Sequence, residues 1–257
     1  MITTAVDRGL DADLAADLAA AALTLARRFS AEATMWCLAP GWEPHAQHVA
    51  VEFVHPVIVG KRALPAVAVT GADPVGALRM SVRPGDIVLA VCGADHPDVR
   101  SAMLRAPAWG ATTVWIGHGA RPPAGAADHV LWLDDPDPRI PATGGFVLLY
   151  HLLWELTHVC FEHPGLLREP ECTDEVCITC SDDGCLAEVI DSPGSPGCPG
   201  GVGGVVARTA EGTVTVDTSL VGPVDAGDLL LVHAGLAISK VTDDTRDAVT
   251  GDGEVGR

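Results

Sequence analysis

Leucines at 10, 14, 18, 23 and 25 recur among alanines, and that near-helical spacing predicts an amphipathic helix over residues 11–30. Residues 33–38 form a short apolar run that stops at Pro40-Gly41, the pattern of a buried strand and a turn. A helix is predicted over 44–54, with Pro44 in its first turn where a missing N–H costs nothing. A strand over 66–70 and a short helix over 73–80 follow, and Gly85-Asp86 leads into a strand over 87–92. The pattern then predicts a helix over 98–109, strands over 112–116 and 130–133, and a long helix over 145–162 carrying Leu148, Leu149, Leu152, Leu153 and Leu156. Strands that are apolar throughout, alternating with helices, belong in a parallel sheet covered on both faces.

At Cys177 the pattern changes. Short apolar stretches are separated by Gly, Pro and Asp, which reads as β structure. Residues 212–217, Gly-Thr-Val-Thr-Val-Asp, alternate cleanly. Residues 227–238 run Gly-Asp-Leu-Leu-Leu-Val-His-Ala-Gly-Leu-Ala-Ile, a turn, a strand ending in His233 and an apolar tail. Ser, Pro and Gly dominate 192–204, a flexible loop between strands, and Asp217 is placed to shape a turn.

Composition narrows the classes. Of 257 residues, 48% are hydrophobic, which supports a packed core and excludes global disorder. The net charge of −18 repels phosphate backbones, so nucleic-acid binding is not expected. No uninterrupted apolar run suits a membrane span, and Asp7, Arg8, Asp11 and Asp13 stand where a signal peptide would be apolar, so a soluble cytoplasmic protein is expected. Of eight cysteines, Cys37, Cys92 and Cys160 sit in apolar runs as small core residues, while the other five fall between 172 and 198.

Two histidine-rich stripes carry candidate chemistry. His45, His48, Glu52 and His55 share one helical face, and His151, Glu155, His158 and Glu162 share another. Imidazole and carboxylate ligate zinc or iron, and two facing stripes would make a site. Among the cysteines, Cys177 and Cys180 could hold zinc with Cys172 and Cys185, for which spacings of five, three and five are irregular, or form a Cys-x-x-Cys redox pair, which no thioredoxin-like context surrounds.

The segment opening at Cys177, with 212–217 and 227–238 downstream, resembles the HypC/HupF family of NiFe-hydrogenase maturation chaperones over residues 176–245. The resemblance implies a small OB-like β-barrel, with Cys177 binding an iron fragment and contacting the hydrogenase large-subunit precursor, and with His233 near it. A thiolate is a soft ligand suited to such iron. In the family the cysteine follows the initiator Met; here Val176 and a whole preceding domain stand there.

The first half, over residues 10–163, resembles a SIS (sugar isomerase) domain of the phosphoheptose-isomerase type. The segments that carry this are 44–53 (Pro-His-Ala-Gln-His-Val-Ala-Val-Glu-Phe), 64–70 (Leu-Pro-Ala-Val-Ala-Val-Thr), 85–91 (Gly-Asp-Ile-Val-Leu-Ala-Val) and 151–156 (His-Leu-Leu-Trp-Glu-Leu). The resemblance implies that His48, Glu52 and His151 line an active site and can bind metal. Where the family has a glutamine two turns before the last of these, this chain has Thr143. The two loops that hold phosphate in the family read Leu38-Ala-Pro-Gly-Trp-Glu43 and Cys92-Gly-Ala-Asp-His-Pro97, without hydroxyls and with Glu43 and Asp95, so sugar-phosphate turnover is not expected.

The expected architecture is an α/β protein. A SIS-like αβα sandwich with a five-stranded parallel sheet spans 1–168, a small OB-like β-barrel 175–245, and an acidic tail 246–257. The expected function is NiFe-hydrogenase maturation, with the iron fragment held transiently by Cys177. The expected partners are the large-subunit precursor and the scaffold maturation protein on which the fragment is built. The SIS-like domain would then be a degenerate phosphosugar isomerase serving as a homodimerisation or docking module, with zinc or another divalent metal at His48, Glu52 and His151. The alternative is a SIS-family sugar isomerase or related metal-dependent enzyme acting on a small carbonyl compound.

Overall fold

The computed structural model describes residues 11–133, 142–168, 184–191 and 204–242. The chain divides into two compact units, Met1–Leu104 with Ala111–Glu171, and Arg105–Gly110 with Cys172–Arg257.

The first unit alternates helix and strand: α1 (Ala12–Ser30), β1 (Met35–Leu38), α2 (Glu43–Val54), β2 (Ala66–Val69), α3 (Pro74–Ser81), β3 (Ile87–Val91), α4 (Pro97–Arg105), β4 (Thr112–His118), β5 (His129–Leu133) and α5 (Ala142–Glu162). The five strands are parallel in the order β2-β1-β3-β4-β5, as the alternation predicted. Every residue of β3 is buried, which is why Ile87-Val-Leu-Ala-Val91 carries no polar position. Along one face, Met35, Cys37, Ile87, Leu89, Val91, Val114, Ile116 and Leu131 pack in one cluster with Leu18, Leu25 and Phe29 of α1, Val49 and Phe53 of α2, and Phe146, Leu149 and Leu153 of α5. At about 0.8 kcal/mol per buried CH₂, these side chains are the main source of stability. Segment Gly144–Glu162 of α5 has the length and apolarity of a membrane span, and here it packs into this core.

Local signals set the element ends. Asp73 caps α3 by accepting the Gly76 N–H at 2.8 Å, with Pro74 following it. The helix predicted over 98–109 is two elements. α4 ends at Arg105 and a 3₁₀ turn covers Ala106–Trp109, because Pro107 lacks an N–H and its ring obstructs a continuing α-helix. Asp86, nearly buried, ties β1 to β3. Its carboxylate accepts the Thr34 and Arg83 N–H groups and the Trp36 indole N–H, each at 2.9 Å.

The second unit is a closed barrel in the order β10-β8-β7-β6-β9, formed by β6 (Cys185–Asp191), β7 (Gly204–Thr209), β8 (Gly212–Asp217), β9 (Leu229–His233) and β10 (Leu236–Val241). Ala187, Val189, Val205, Ala207, Val216, Leu230, Val232 and Ala237 fill it, at alternate positions along most strands. Small and β-branched side chains suit so narrow an interior. β8 coincides with the alternating segment, and Asp217 shapes the turn after it by accepting the Ser219 N–H at 2.8 Å. The segment after His233 is not a tail. Ala234 and Gly235 form a two-residue hairpin turn with φ of 49° and 79°, and Leu236 starts β10. Glu188 is fully buried and accepts the Arg105 guanidinium and the Trp109 indole N–H, both at 2.7 Å, so its charge is compensated. The predicted 192–204 loop up to residue 203, the acidic tail, and Cys172, Cys177, Cys180 and Cys198 lie outside the described residues.

Candidate metal centre

The strand order places a topological switch between β1 and β3, whose chain directions diverge to opposite sides, and ligands gather at the carboxyl ends of such strands. There the chain turns at Pro40-Gly41 into α2, and Gly41, at φ 76°, allows the turn. α2 and α5 pack together and bring His48, Glu52 and His151 into one group, whose ligand atoms all lie within 4.8 Å of one another.

His48 Nε2 is 3.3 Å from Glu52 Oε1, and His151 Nε2 is 3.5 Å from the same oxygen. Zinc bonds of about 2.0–2.1 Å in a tetrahedron set ligand atoms roughly 3.4 Å apart, so both separations suit one ion. His151 Nε2 is buried and has no hydrogen-bond partner, a costly state for a polar atom unless an ion takes its lone pair. Two imidazoles and a carboxylate, all part-exposed, leave positions open for a small ligand, as catalytic rather than structural metal sites do. The donor set and the orphaned nitrogen together fit a divalent transition metal.

The two stripes read from the sequence do not survive whole. His55 is the exposed cap residue after α2, and Glu155 is exposed. His158 faces two backbone carbonyls, and Glu162 pairs with Lys61 at 2.7 Å. The positions i, i+4, i+7 and i+11 keep to one face of this 21-residue helix but extend over about 16 Å along it, so only part of a long stripe meets one neighbour. His45 lies one turn before His48 and touches not the carboxylate but Tyr150.

Tyr150, the chain's single tyrosine, is the residue that the sequence reading missed. Its hydroxyl lies 2.8 Å from His48 Nδ1 and 3.4 Å from His45 Nδ1. Burial, then the Glu52 charge, pushes its pKa up to about 12. Burial, with His48 adding to it, lowers the pKa of His45. The signal was present in the sequence, a polar aromatic directly before His151 in a leucine-rich helix.

Beside this centre is a cavity of about 560 Å³ lined by Pro40, Trp42, Cys92–His96, His118 and Ala120. Trp42 stacks on His118 with centroids 6.0 Å apart, and Phe146 lies against both. None of the lining residues is a serine, threonine, lysine or arginine. Glu43 turns back onto its own loop and accepts the Gly41 N–H at 3.2 Å. Burial raises the Cys92 thiol to about 11, with Asp95 adding to it, so it stays protonated at neutral pH.

In the barrel unit, His233 ends β9 part-buried, and Cys185, exposed, opens β6 opposite Val232. Cys177 lies outside the described residues, so its place relative to His233 is not described.

No protein-family model matches the chain. The phosphoheptose isomerase of Nitratidesulfovibrio vulgaris is 32% identical over 161 residues, which cover 55% of this chain and 75% of that protein. Among solved structures, a phosphoheptose isomerase from Francisella tularensis aligns at TM-score 0.47 and 16% identity, over 56% of this chain and 86% of that one. One from Neisseria gonorrhoeae aligns at TM-score 0.43 and 19% identity, over 55% and 84%.

Proposed function

The chain belongs, through its first unit, to the phosphoheptose isomerase family, and on that premise we propose that this unit is a metal-dependent centre of the sugar-isomerase class acting on a small carbonyl compound that carries no phosphate. The observation that carries the reading is His151 Nε2, buried without a hydrogen-bond partner and 3.5 Å from Glu52 Oε1. His48, Glu52 and His151 would hold the ion. When bound, the metal supplies a Lewis acid for a carbonyl oxygen. Trp42 and His118 give the neighbouring cavity an aromatic wall that excludes water from a flat or ring-shaped ligand. A phosphate dianion is held by hydroxyls, cations and free amides; the cavity lining carries no serine, threonine, lysine or arginine, and the Asp95 carboxylate among its lining residues would repel one.

The test is solvent exchange. Protein loaded with zinc or cobalt, incubated in D₂O with free aldoses and ketoses and with their phosphates, is expected to place deuterium next to the carbonyl of an unphosphorylated sugar. His48→Ala is expected to lose this. Exchange confined to sugar phosphates would overturn the substrate class, and no exchange with any carbonyl compound would overturn the enzyme reading.

A second reading belongs to the barrel unit. A closed five-stranded barrel is formed by the segments that resemble HypC/HupF, with β9 ending at His233, and this favours NiFe-hydrogenase maturation. In that reading Cys177 holds the iron fragment transiently. The barrel docks on the hydrogenase large-subunit precursor in the cytoplasm, with the scaffold maturation protein as donor, and the first unit provides homodimerisation. Cys177→Ala is expected to abolish hydrogenase activity in cells that depend on this protein, whereas Cys198→Ala is not. Full activity of the Cys177 variant would sink the reading.

A further inference from the structure

We propose that Tyr150 and His45 are positioning residues for the metal centre, forming with His48 a hydrogen-bonded chain that decides which nitrogen of His48 faces the ion. The inference rests on the metal-site reading above and extends it to two residues outside the ligand trio.

The geometry is specific. His48 presents Nε2 to Glu52 at 3.3 Å, and its other nitrogen, Nδ1, meets the Tyr150 hydroxyl at 2.8 Å. An imidazole that gives one nitrogen to a metal carries its proton on the other and needs an acceptor there, and such acceptors fix the ring and its tautomer. Ligating histidines commonly use a carboxylate or a carbonyl for this; here a phenol takes the role. A phenol oxygen that accepts a hydrogen bond must also place its own proton. His45 Nδ1, at 3.4 Å, is the second partner. The chain then runs His48 Nδ1–H to Tyr150 Oη, and Tyr150 O–H to His45 Nδ1, which leaves His45 protonated on Nε2. His45 also packs edge-on against Phe146 and Trp42, centroids 5.7 and 6.3 Å away, so its ring is held by the aromatic group that borders the cavity. The Tyr150 ring is almost fully buried and meets His48 and His151 edge-on at 5.1 and 5.3 Å, so it cannot swing away.

The experiment uses the full chain and two variants, Tyr150→Phe, which keeps the buried ring, and His45→Ala. Zinc affinity is measured by competition with a chromophoric chelator. The ring nitrogens of His48 are followed in the metal-free protein by long-range ¹⁵N–¹H correlation. Tyr150→Phe is expected to weaken zinc binding by about 10–100-fold, the usual effect of losing a partner behind a ligand, and to move the His48 Nδ1 resonance. His45→Ala is expected to weaken binding by a smaller factor. Zinc affinity within twofold of the parent in Tyr150→Phe, or a loss of affinity with the Nδ1 resonance unmoved, overturns the proposal. If the parent binds no zinc but Tyr150→Phe still moves the resonance, the metal reading fails while the positioning of His48 by Tyr150 stands.

Discussion

His158 holds the backbone carbonyl of Arg62 with Nε2 at 2.9 Å, across 96 residues of sequence. Its Nδ1 is 2.9 Å from the Trp154 carbonyl, and the side chain is buried. Each nitrogen thus lies against a backbone carbonyl, one in the segment between α2 and β2 and one in its own helix, so neither is open to a metal, and the N–H of a neutral ring serves one of the two. His158→Gln is expected to leave metal content unchanged and to destabilise the fold by about 1–3 kcal/mol, because a buried carbonyl loses its partner. His151→Ala is expected to do the reverse, losing most of the metal with a small effect on stability. Elemental analysis beside thermal unfolding separates the two. Metal loss in the His158 variant at retained stability would return that residue to the site.

The single tyrosine makes an alkaline prediction clean. Burial first, and the Glu52 charge second, raise the Tyr150 pKa to about 12 from its ordinary 10. Folding thus favours the protonated phenol. Between the unfolded and folded pKa values the native state binds more protons than the unfolded state, so stability falls as pH rises. The contribution is complete below about pH 10. Cys92, raised to about 11, acts in the same direction from about pH 9 upward. Phenolate absorbance at 295 nm is expected to rise near pH 12, or together with alkaline unfolding. A reversible step near pH 10 in folded protein would contradict the buried geometry.

Gly117 lies in β4 where the chain passes Trp132 and the Cys92 carbonyl, and an added Cβ would run into both. Trp132 is itself anchored by its indole N–H on the Gly119 carbonyl at 2.8 Å, so it has little room to yield. Gly117→Ala is expected to cost about 1–3 kcal/mol, the range for overpacking a filled interior. Denaturant unfolding measures it, and a change below about 0.5 kcal/mol would mean that the Trp132 ring moves freely.

Ala234 occupies the first turn position between β9 and β10 at φ 49°, in the left-handed region. That conformation costs an ordinary residue about 1 kcal/mol or more, and Asn followed by Gly is the preferred pair for such a hairpin. Ala234→Asn is expected to raise the melting temperature by a few degrees. A lowered one would show that the methyl group contributes packing that the backbone geometry does not reveal.

The sequence by itself determined the elements and their layers. Continuous apolarity marks β3 as a central strand, the leucine spacing marks α1, and Gly and Asp punctuation marks β8 and β9, because backbone periodicity and burial act on neighbouring residues. It also made His48 and Glu52 a pair, since residues four apart on a helix face the same way. It did not determine which members of the two stripes meet. His151 joins that pair, while His158 and Glu162 turn to Arg62 and Lys61, because the crossing of α2 on α5 selects one short stretch of each helix. Nor did it reveal Tyr150 as the residue behind His48, or the Ala234-Gly235 turn, where no Asn or Asp announces the positive φ. Periodicity along the chain says which way a side chain points, but only packing between elements separated by about a hundred residues says what it points at.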